Sequence, residues 1–397
     1  MKKPYIRQVS VFQGKDSKAF SQLMANNKIL LCSPKVSTGG ISMWTRHILD
    51  YYSSHKSNFE LDWFYPGVEN VNWENRSICR RIVTGVKQYF PFIVKLSKKL
   101  NSENYSALHM CSSASFGLMR DVLALQLCRW HKMKFIIHFH FGRIPEIYRE
   151  KNWEYKLMNL IVRNSDNVVV IDKASYETLV NFGYENISDL PNPLSGDIVK
   201  IVNEYSSEII RMPNKIVFVG HVIKTKGINE LMEAVKVVRH KYPVNVTILG
   251  QVTDAVRERL TKVAGFGWSE WLTIAGNQSI ETVVKELLSS GLFVLPTYTE
   301  GFPNVVLESM ACSCPIISTP VGAIPEMLNI DSATPCGIVV PVGDTDNLVR
   351  QIENAITHYD QFQNMAERAR ARVMSLYSID SVWLQLTNIW IKTLNDK

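Results

Sequence analysis

Two glutamates in one short segment are the strongest indication of chemistry in the sequence. Glu300 and Glu308 are separated by seven residues, in a segment that reads T-E-G-F-P-N-V-V-L-E-S-M-A from Thr299 to Ala311. An apolar run ends just before this segment, a polar turn with a glycine follows, and a helical pattern begins. The free N–H groups and the dipole at such a helix start favour an anion, phosphate above all. We therefore expect Glu308 to reach the hydroxyls of a ribose and Glu300 to lie at the mouth of the site.

This segment resembles the donor-site motif of the family 4 glycosyltransferases. Segments similar to those that follow in that family lie at residues 319–326, 337–341 and 343–344. The stretch from Phe218-Val219-Gly220 to Lys226-Gly227 resembles its glycine-to-lysine phosphate loop. The resemblance is dense over about residues 215–345 and sparser in the first half of the chain.

The resemblance implies a GT-B fold, a nucleotide diphosphate sugar as donor, retention of the anomeric configuration, and no metal or other cofactor. In that scheme Glu300 holds sugar hydroxyls, Glu308 holds the ribose, and Lys226 with the amides of residues 302–305 meets the charge of the leaving diphosphate. The base is expected to be uridine, by the habits of the family. The donor-binding turn comprises Gly301, Phe302, Pro303, Asn304 and Val305.

One position departs from the family pattern. His221 directly follows the glycine of the phosphate loop, where the family has an arginine. A histidine is charged only part of the time near neutral pH, so it is a weaker partner for a diphosphate. Two alternatives stay open here: His221 hydrogen-bonds the diphosphate itself, or Lys224 or a residue of the first domain supplies the missing charge.

Three further places are candidates for donor binding. In the first half, Gly39 and Gly40 follow an apolar run and precede an amphipathic stretch, so their backbone could approach a sugar or phosphate closely. His140 ends another apolar run and best resembles the family histidine that meets the donor sugar, whereas His138 is expected to be a core residue. Asn277, after the run that ends at Ala275-Gly276, is placed near the base.

Short apolar runs alternate with longer stretches of helical period along most of the chain, a pattern typical of βαβ units. We therefore predict an α/β protein with two doubly wound, Rossmann-like sheets that face each other across a cleft. The expected strands are residues 29–32, 61–65, 107–110, 135–139 and 168–171 in the first half, and 216–219, 246–249, 272–275, 292–295, 316–318 and 338–340 in the second.

Turn-forming residues and a change in charge place the domain boundary near residue 192. The predicted domains are an acceptor-side domain at 1–192, a nucleotide-sugar donor domain at 193–376, and a terminal helix at 377–397 that crosses back onto the first domain. Residues 1–200 hold 27 Lys and Arg against 17 Asp and Glu, and the rest holds 17 against 20. This asymmetry suggests that the first half meets an anionic partner.

The composition excludes several classes of protein. Apolar residues make up 46% of the chain and charged residues 20%, which argues against a disordered or fibrous protein. No run of 18 apolar residues predicts a membrane-spanning helix, no secretory signal follows Met1, and seven scattered cysteines fit a reducing compartment. We expect a cytoplasmic protein, with peripheral attachment to the inner face of the cytoplasmic membrane, and no nucleic acid partner.

A basic stretch at residues 76–99 is the candidate for that attachment. It holds seven basic residues and no acidic one, with aromatic and aliphatic residues between them. Pro91 is expected to divide it into two short helices that lie in the interface of an anionic membrane. The alternative is a solvated basic face over ordinary core contacts.

Together these features predict a retaining, metal-independent glycosyltransferase that moves a sugar to a hydroxyl of a saccharide acceptor. We expect this acceptor to be lipid-linked. Two alternatives remain: another GT-B activity such as a nucleotide-sugar epimerase, and a non-catalytic nucleotide-sugar sensor or scaffold in polysaccharide assembly. A dehydrogenase is disfavoured because neither half has G-x-G-x-x-G after its first strand.

Overall fold

The computed structural model describes residues 27–36, 39–57, 59–65 and 78–396, and it describes the side chains of the helix Ile78–Ser102 from Tyr89 onward. Ser37 and Thr38, which precede Gly39 in the first-domain turn, lie outside the described residues. So do Arg76 and Ser77 of the basic stretch.

The first half folds around a parallel sheet of six strands in the order β2-β1-β3-β4-β5-β6. Five of these strands were predicted, and the sixth, β6, was missed because it is three residues long and only its first residue is fully buried. The strands are β1 (Lys28–Cys32), β2 (Glu60–Phe64), β3 (Ala107–Ser112), β4 (Lys134–Phe139), β5 (Asn167–Val170) and β6 (Ile187–Asp189).

The second half contains another parallel sheet of six strands, in the order β12-β11-β10-β7-β8-β9. All six were predicted from buried apolar runs, which in a parallel sheet are covered on both faces. The strands are β7 (Met212–Val219), β8 (Asn245–Leu249), β9 (Leu272–Gly276), β10 (Ser290–Leu295), β11 (Ile316–Ser318) and β12 (Ile338–Val339). The prediction of two doubly wound sheets is confirmed.

Helices cover both faces of each sheet. Those that follow the strands of the first sheet are α1 (Gly40–Ser54), α2 (Ile78–Ser102), α3 (Gly117–Trp130), α4 (Ile144–Glu150), α5 (Trp153–Asn164) and α6 (Lys173–Asn181). The remainder are α7 (Gly196–Tyr205), α8 (Ile228–Val238), α9 (Asp254–Ala264), α10 (Ile280–Ser289), α11 (Asn304–Ala311), α12 (Ile324–Met327), α13 (Thr345–Thr357), α14 (Tyr359–Leu376) and α15 (Ile379–Asn395).

The last helix completes the first domain rather than the second. One face of the first sheet is covered by α2 to α6, and its other face packs against α1 and α15. Val382, Leu386 and Trp390 of α15 are buried there, and the Trp390 Nε1–H donates to Nδ1 of His109 at 2.9 Å. The expectation that the terminal helix crosses back onto the first domain is confirmed.

The two crossings between the domains run side by side. The backbone N–H of Leu194 donates to the carbonyl of Tyr377 at 2.6 Å, and a parallel bridge joins Leu194 to Ser378. Both chain segments therefore pass through one place, which is the natural position for a hinge.

Pro91 does not divide the basic stretch into two helices, so that prediction is wrong. Residues Ile78–Ser102 form one helix, α2, with Pro91 inside it. The residues that follow Pro91 explain why the helix continues: Phe92, Leu96 and Leu100 recur on one side and are buried against the first sheet. This packing offsets the backbone hydrogen bond that a proline removes.

Candidate active site

The turn between β10 and α11 holds the two glutamates. Strand β10 ends at Leu295 and α11 begins at Asn304, so Glu300 lies in the turn and Glu308 in the second turn of the helix. Pro303 precedes the helix without capping it through a side chain. Because Pro303 itself has no N–H, the donors expected of residues 302–305 reduce to those of Phe302, Asn304 and Val305.

Lys226 and Glu300, placed separately in the sequence, form an ion pair. Nζ of Lys226 lies 2.6 Å from Oε1 of Glu300, and their side chains are 23% and 11% exposed. The lysine ends a short 3₁₀ turn at Lys224–Lys226 that is fixed to the strand-end segment, since the Tyr298 N–H donates to the Thr225 carbonyl at 2.9 Å. The pair places one cation and one anion side by side next to the end of β10.

Gly227 allows the turn at Lys224–Lys226 to lie close to the end of β10. Its φ of +71° is in the left-handed region, and a Cβ atom there would overlap the carbonyl of Pro296. Only glycine lets the phosphate loop lie directly against the end of β10.

Glu308 is isolated from other charges. Its side chain is only 6% exposed, and burial raises its pKa to about 7. No salt bridge or side-chain hydrogen bond to Glu308 is found among the described residues. A hydroxyl donor would relieve the cost of burying this carboxylate. The small cavity beside it is lined by His47, Pro193, Leu194, Ser195, Ile198, Asn304 and Leu307.

Residues of the first domain touch the turn directly. A Cβ atom on Gly142 would lie 2.9 Å from the carbonyl oxygen of Glu300, so the two backbones are in close contact. The Asn192 side-chain amide donates to the Phe302 carbonyl at 3.0 Å and to Oδ1 of Asn304 at 3.2 Å. Neither Gly142 nor Asn192 was predicted from the sequence to be a site residue. For Gly142 a signal existed, because it follows His140 at the end of an expected strand.

The start of α1 lies opposite the start of α11. The Asn304 Nδ2–H contacts Sδ of Met43, in the first turn of α1, at 3.8 Å. Gly39 and Gly40 begin that helix, both are exposed, and an added Cβ would meet nothing within 4 Å at either position. The two glycines therefore border open space next to the turn, as a backbone contact with a ligand requires.

His140 lies just past the end of β4, where its backbone N–H donates to the Ser112 carbonyl. Its ring packs against those of Trp44 and His138, at 5.1 and 3.8 Å between centroids. This burial lowers the pKa of His140 to about 3, so the imidazole is neutral at physiological pH. Its Nε2 is buried and has no partner among the described residues, which leaves it available to a ligand hydroxyl.

His138 and His109 form a buried hydrogen-bonded chain behind His140. Nε2 of His109 lies 3.3 Å from Nδ1 of His138, and both rings are fully buried. Because Trp390 can only donate to Nδ1 of His109, the proton of that ring lies on Nε2 and is donated to His138. His138 is thus the core residue that was expected.

Among the described residues, His109, Cys111 and His138 are the side chains close enough together to hold a metal ion. The tautomer set by Trp390 argues against it, because Nε2 of His109 would have to lose the proton that it donates. The single Asp-x-Asp in the sequence, Asp344-Thr345-Asp346, starts α13, and Oδ1 of Asp344 caps that helix by accepting from the Asn347 N–H. Neither group offers a ready metal site.

The remaining candidates lie along the same edge of the second sheet. Strands β7 and β9 end at Val219 and Gly276, and the exposed His221 and Asn277 follow shortly after. Lys224 is also exposed and close to Lys226 in the chain. The structure brings His221, Lys226, Glu300 and the start of α11 to the carboxyl ends of parallel strands, the usual place for ligands in such folds.

Comparison with known proteins finds a family match in the second half of the chain. Residues 203–372 match the model of the family "Glycosyl transferases group 1". The matched residues include Lys226, Glu300 and Glu308.

Two relatives show how far the likeness extends along the chain. The chain is 28% identical over 183 residues to the capsular polysaccharide biosynthesis glycosyltransferase CapM of Staphylococcus aureus, and this match spans 44% of each protein. It is 24% identical over 358 residues to the N-acetyl-alpha-D-glucosaminyl L-malate synthase of Bacillus anthracis, across 85% of this chain and 87% of that one. The chain therefore spans less than half the length of CapM and most of the length of the second relative.

A solved structure is similar in fold over most of the chain. Anabaena HepE, solved in complex with UDP, superposes with a TM-score of 0.68 over 92% of this chain and 100% of its own, at 13% identity. The fold is GT-B, as expected from the sequence.

Proposed function

We propose that this protein is a retaining, metal-independent glycosyltransferase of polysaccharide or glycolipid biosynthesis. It moves a sugar from a nucleotide diphosphate sugar to a hydroxyl of a saccharide acceptor. The observation that carries the proposal is the turn before α11, where the Lys226–Glu300 pair and the buried Glu308 converge on a helix start. The relatives named as glycosyltransferases and the match to the group 1 family model support it.

Each part of the donor has a matching group. Glu308 accepts from the ribose hydroxyls, which supply the donors that its buried carboxylate lacks. Lys226 and the N–H groups at the start of α11 receive the charge that develops on the diphosphate as the anomeric C–O bond breaks. Glu300 holds sugar hydroxyls, and the unpaired Nε2 of the neutral His140 meets the sugar from the first domain.

The proposed transfer retains the anomeric configuration. The acceptor hydroxyl attacks the anomeric carbon on the face that the diphosphate leaves, and a phosphate oxygen of the diphosphate takes its proton. One glycosidic bond forms, one bond to phosphate breaks, and the nucleoside diphosphate departs. The first domain, which closes over the turn at Gly142, presents the acceptor.

UDP is the proposed nucleotide, and the acceptor is proposed to be lipid-linked. HepE was solved with UDP, and CapM is named for capsular polysaccharide biosynthesis. Among the described residues, no helix is long and apolar enough to cross a membrane.

A product assay tests the proposal. The purified protein is incubated with a UDP-sugar, with and without saccharide acceptors, in the presence of EDTA. We expect an α-linked product from an α-configured donor, dependence on acceptor, slow donor hydrolysis without it, and the same rate in EDTA. An altered free sugar without acceptor would identify an epimerase, and donor binding without any turnover would identify a sensor. Loss of activity in EDTA that magnesium or manganese restores would contradict metal independence.

A further inference from the structure

Three neighbouring helices of the first domain share one outer surface. Helix α3 packs between α2 and α5, and all three lie on the same side of the first sheet. Their inner residues, such as Phe92, Leu125 and Met158, are buried against that sheet. We call the opposite side, made of the exposed residues of 89–102, 117–130 and 153–164, the three-helix face.

The three-helix face exposes large apolar side chains on every one of its helices. Trp130 is 85% exposed and Phe90 is 71% exposed. Single exposed apolar residues are ordinary, but neighbouring ones on adjacent helices mark a surface that meets a partner. The exposed apolar residues are Phe90 and Val94 on α2, Met119, Leu123 and Trp130 on α3, and Trp153 and Leu160 on α5.

The exposed charges of this face have one sign. Its acidic side chains, Asp121 and Glu154, are both buried. On α9 in the second domain, by contrast, exposed acidic and basic residues are mixed, as with Asp254 and Arg259. The exposed ionisable residues of the described three-helix face are Lys95, Lys98, Arg129, Lys156 and Arg163, all of them basic.

An open cavity of about 520 Å³ lies at one end of this face. Three of its lining residues, Arg129, Lys132 and Arg163, are basic. The one acidic residue that lines it, Asp166, is already paired with Lys134 at 3.0 Å. Trp130 is next to Arg129 in the chain, so an exposed indole borders a basic cavity. Indole rings at the level of basic side chains are typical of proteins that lie in a membrane interface.

We propose that the three-helix face docks on a membrane containing anionic phospholipid. Trp130 and the other apolar residues enter the interface, and the basic residues, including those of the cavity, meet the phosphate headgroups. A second copy of the chain fits less well, because a twofold contact would bring the basic residues of this face against themselves. Membrane docking itself does not depend on the proposed function. Its purpose does rest on that function, because docking would present a lipid-linked acceptor to the cleft.

This surface differs from the basic stretch at residues 76–99. The structure gives Lys99 another role, because its Nζ pairs with Asp62 at 2.7 Å and with Glu103 at 2.8 Å. The three-helix face also includes α3 and α5, which lie outside the basic stretch. Lys95 and Lys98 are the part of the stretch that faces outward among the described side chains.

Vesicle sedimentation of the full chain tests the proposal. The vesicles contain either phosphatidylcholine alone or phosphatidylcholine with phosphatidylglycerol. We expect binding to the anionic vesicles, weakened by salt, and at least about tenfold less binding for Lys156→Glu with Arg163→Glu and for Lys95→Glu with Lys98→Glu. Trp130→Ser should also weaken binding.

Matched controls come from the second domain. Arg259→Glu with Lys262→Glu changes the same net charge on the exposed side of α9, and Phe266→Ser removes an exposed aromatic ring. Both should bind vesicles as the wild type does. Thermal unfolding of every variant shows whether it is folded. UDP binding, measured on the same samples, shows whether the donor site is intact.

The proposal is overturned if the wild type binds both vesicle types equally or neither. It is also overturned if the α9 control, Arg259→Glu with Lys262→Glu, loses as much binding as the α5 variant, Lys156→Glu with Arg163→Glu. Undiminished binding by a variant that combines the α2 and α5 substitutions would overturn it as well. A halved mass in solution for Trp130→Ser would show that the face joins two copies instead. Failure to bind UDP would contradict the proposed function and leave vesicle binding to be judged by itself.

Discussion

At the scale of single residues, the two carboxylates of the site, Glu300 and Glu308, have different surroundings. Lys226 and Glu300 neutralise each other at 2.6 Å, whereas the buried Glu308 has no charged partner in the part of the chain that the structure describes. The sequence predicted all three as donor-site residues, the two glutamates from the motif at 299–311 and Lys226 from the separate stretch at 218–227. It could not predict the ion pair, which depends on how the turn at Lys224–Lys226 lies against β10 in space.

Replacing Glu308 by glutamine should have opposite effects on nucleotide binding and on stability. Nucleotide binding should weaken by about 1–2 kcal/mol, since a charge-assisted hydrogen bond becomes a neutral one. Burial raises the pKa of Glu308 to about 7, so the free energy of unfolding of the wild type falls as the pH rises from about 4.5 through 7. Glutamine does not ionise, so the free energy of unfolding of Glu308→Gln should not fall in this way. It should exceed that of the wild type by roughly 2–3 kcal/mol at pH 8 and differ little from it at pH 4.

Calorimetry with UDP and urea unfolding at both pH values check these effects. Wild-type affinity in Glu308→Gln would show that Glu308 does not contact the ribose. Equal stability of the two proteins at pH 8 would show that the carboxylate has a partner in solution.

Removing the amine of Lys226 should slow transfer more than it weakens the fold. We expect Lys226→Ala to reduce kcat/KM at least about tenfold, equivalent to ~1.4 kcal/mol for one lost charged contact in the transition state. Lys262→Ala, which removes an exposed lysine from α9, is the matched control and should keep the wild-type kcat/KM. Steady-state kinetics decide the matter, and equal rates for the two variants would remove Lys226 from the mechanism.

At the scale of elements, a few backbone positions determine whether the loops reach the site. The strands of the second sheet could be predicted because each is a buried apolar run. Strand β6 and the unbroken α2 could not, since β6 is short and the continuity of α2 through Pro91 depends on tertiary packing of Phe92, Leu96 and Leu100.

Gly227→Ala should disrupt the phosphate loop. The position has φ of +71°, and the new Cβ would overlap the Pro296 carbonyl, so the loop must move away from β10. We expect a loss of about 2 kcal/mol or more in the free energy of unfolding, together with loss of UDP binding. Gly267→Ala has the same φ of +71° in the same left-handed region, but its Cβ would meet only the Glu270 side chain at an ordinary 3.6 Å, so it should cost only ~1 kcal/mol and keep UDP binding. Similar losses in both variants would show that the contact with Pro296 does not matter.

At the scale of the whole molecule, the two domains meet where the donor is proposed to bind. Gly142 and Asn192 bring the first domain against the turn at Glu300–Asn304, and both chain crossings meet at Leu194 and Tyr377. The sequence predicted the two sheets and the returning helix, because these follow from local patterns. The contacts between domains could not be predicted, since they join residues more than 100 positions apart.

Gly142→Ala should hold the domains slightly apart. Its Cβ would lie 2.9 Å from the Glu300 carbonyl oxygen, and because the obstructing atom belongs to the backbone, one of the two segments must shift. We expect kcat/KM to fall by about tenfold or more, because the misplacement affects every donor contact from the first domain. Gly117→Ala, with open space at its Cβ, is the control. Small-angle scattering with UDP should give a larger radius of gyration for Gly142→Ala, and an unchanged radius with unchanged kinetics would contradict the close contact.

The position of α15 also has a consequence for how the protein is made. Strand β6 ends at Asp189 and α15 begins at Ile379, so during synthesis the first sheet is finished about 190 residues before the helix that covers one of its faces. Helix α1 covers only part of that face, so at ~5–20 residues per second the part under α15 remains exposed on the ribosome for roughly 10–40 s. The apolar residues that wait there, including Ile29, Leu31 and Ile136, make the nascent first domain a candidate for chaperone binding. An isolated first domain should therefore be produced with residues 379–395 fused to it.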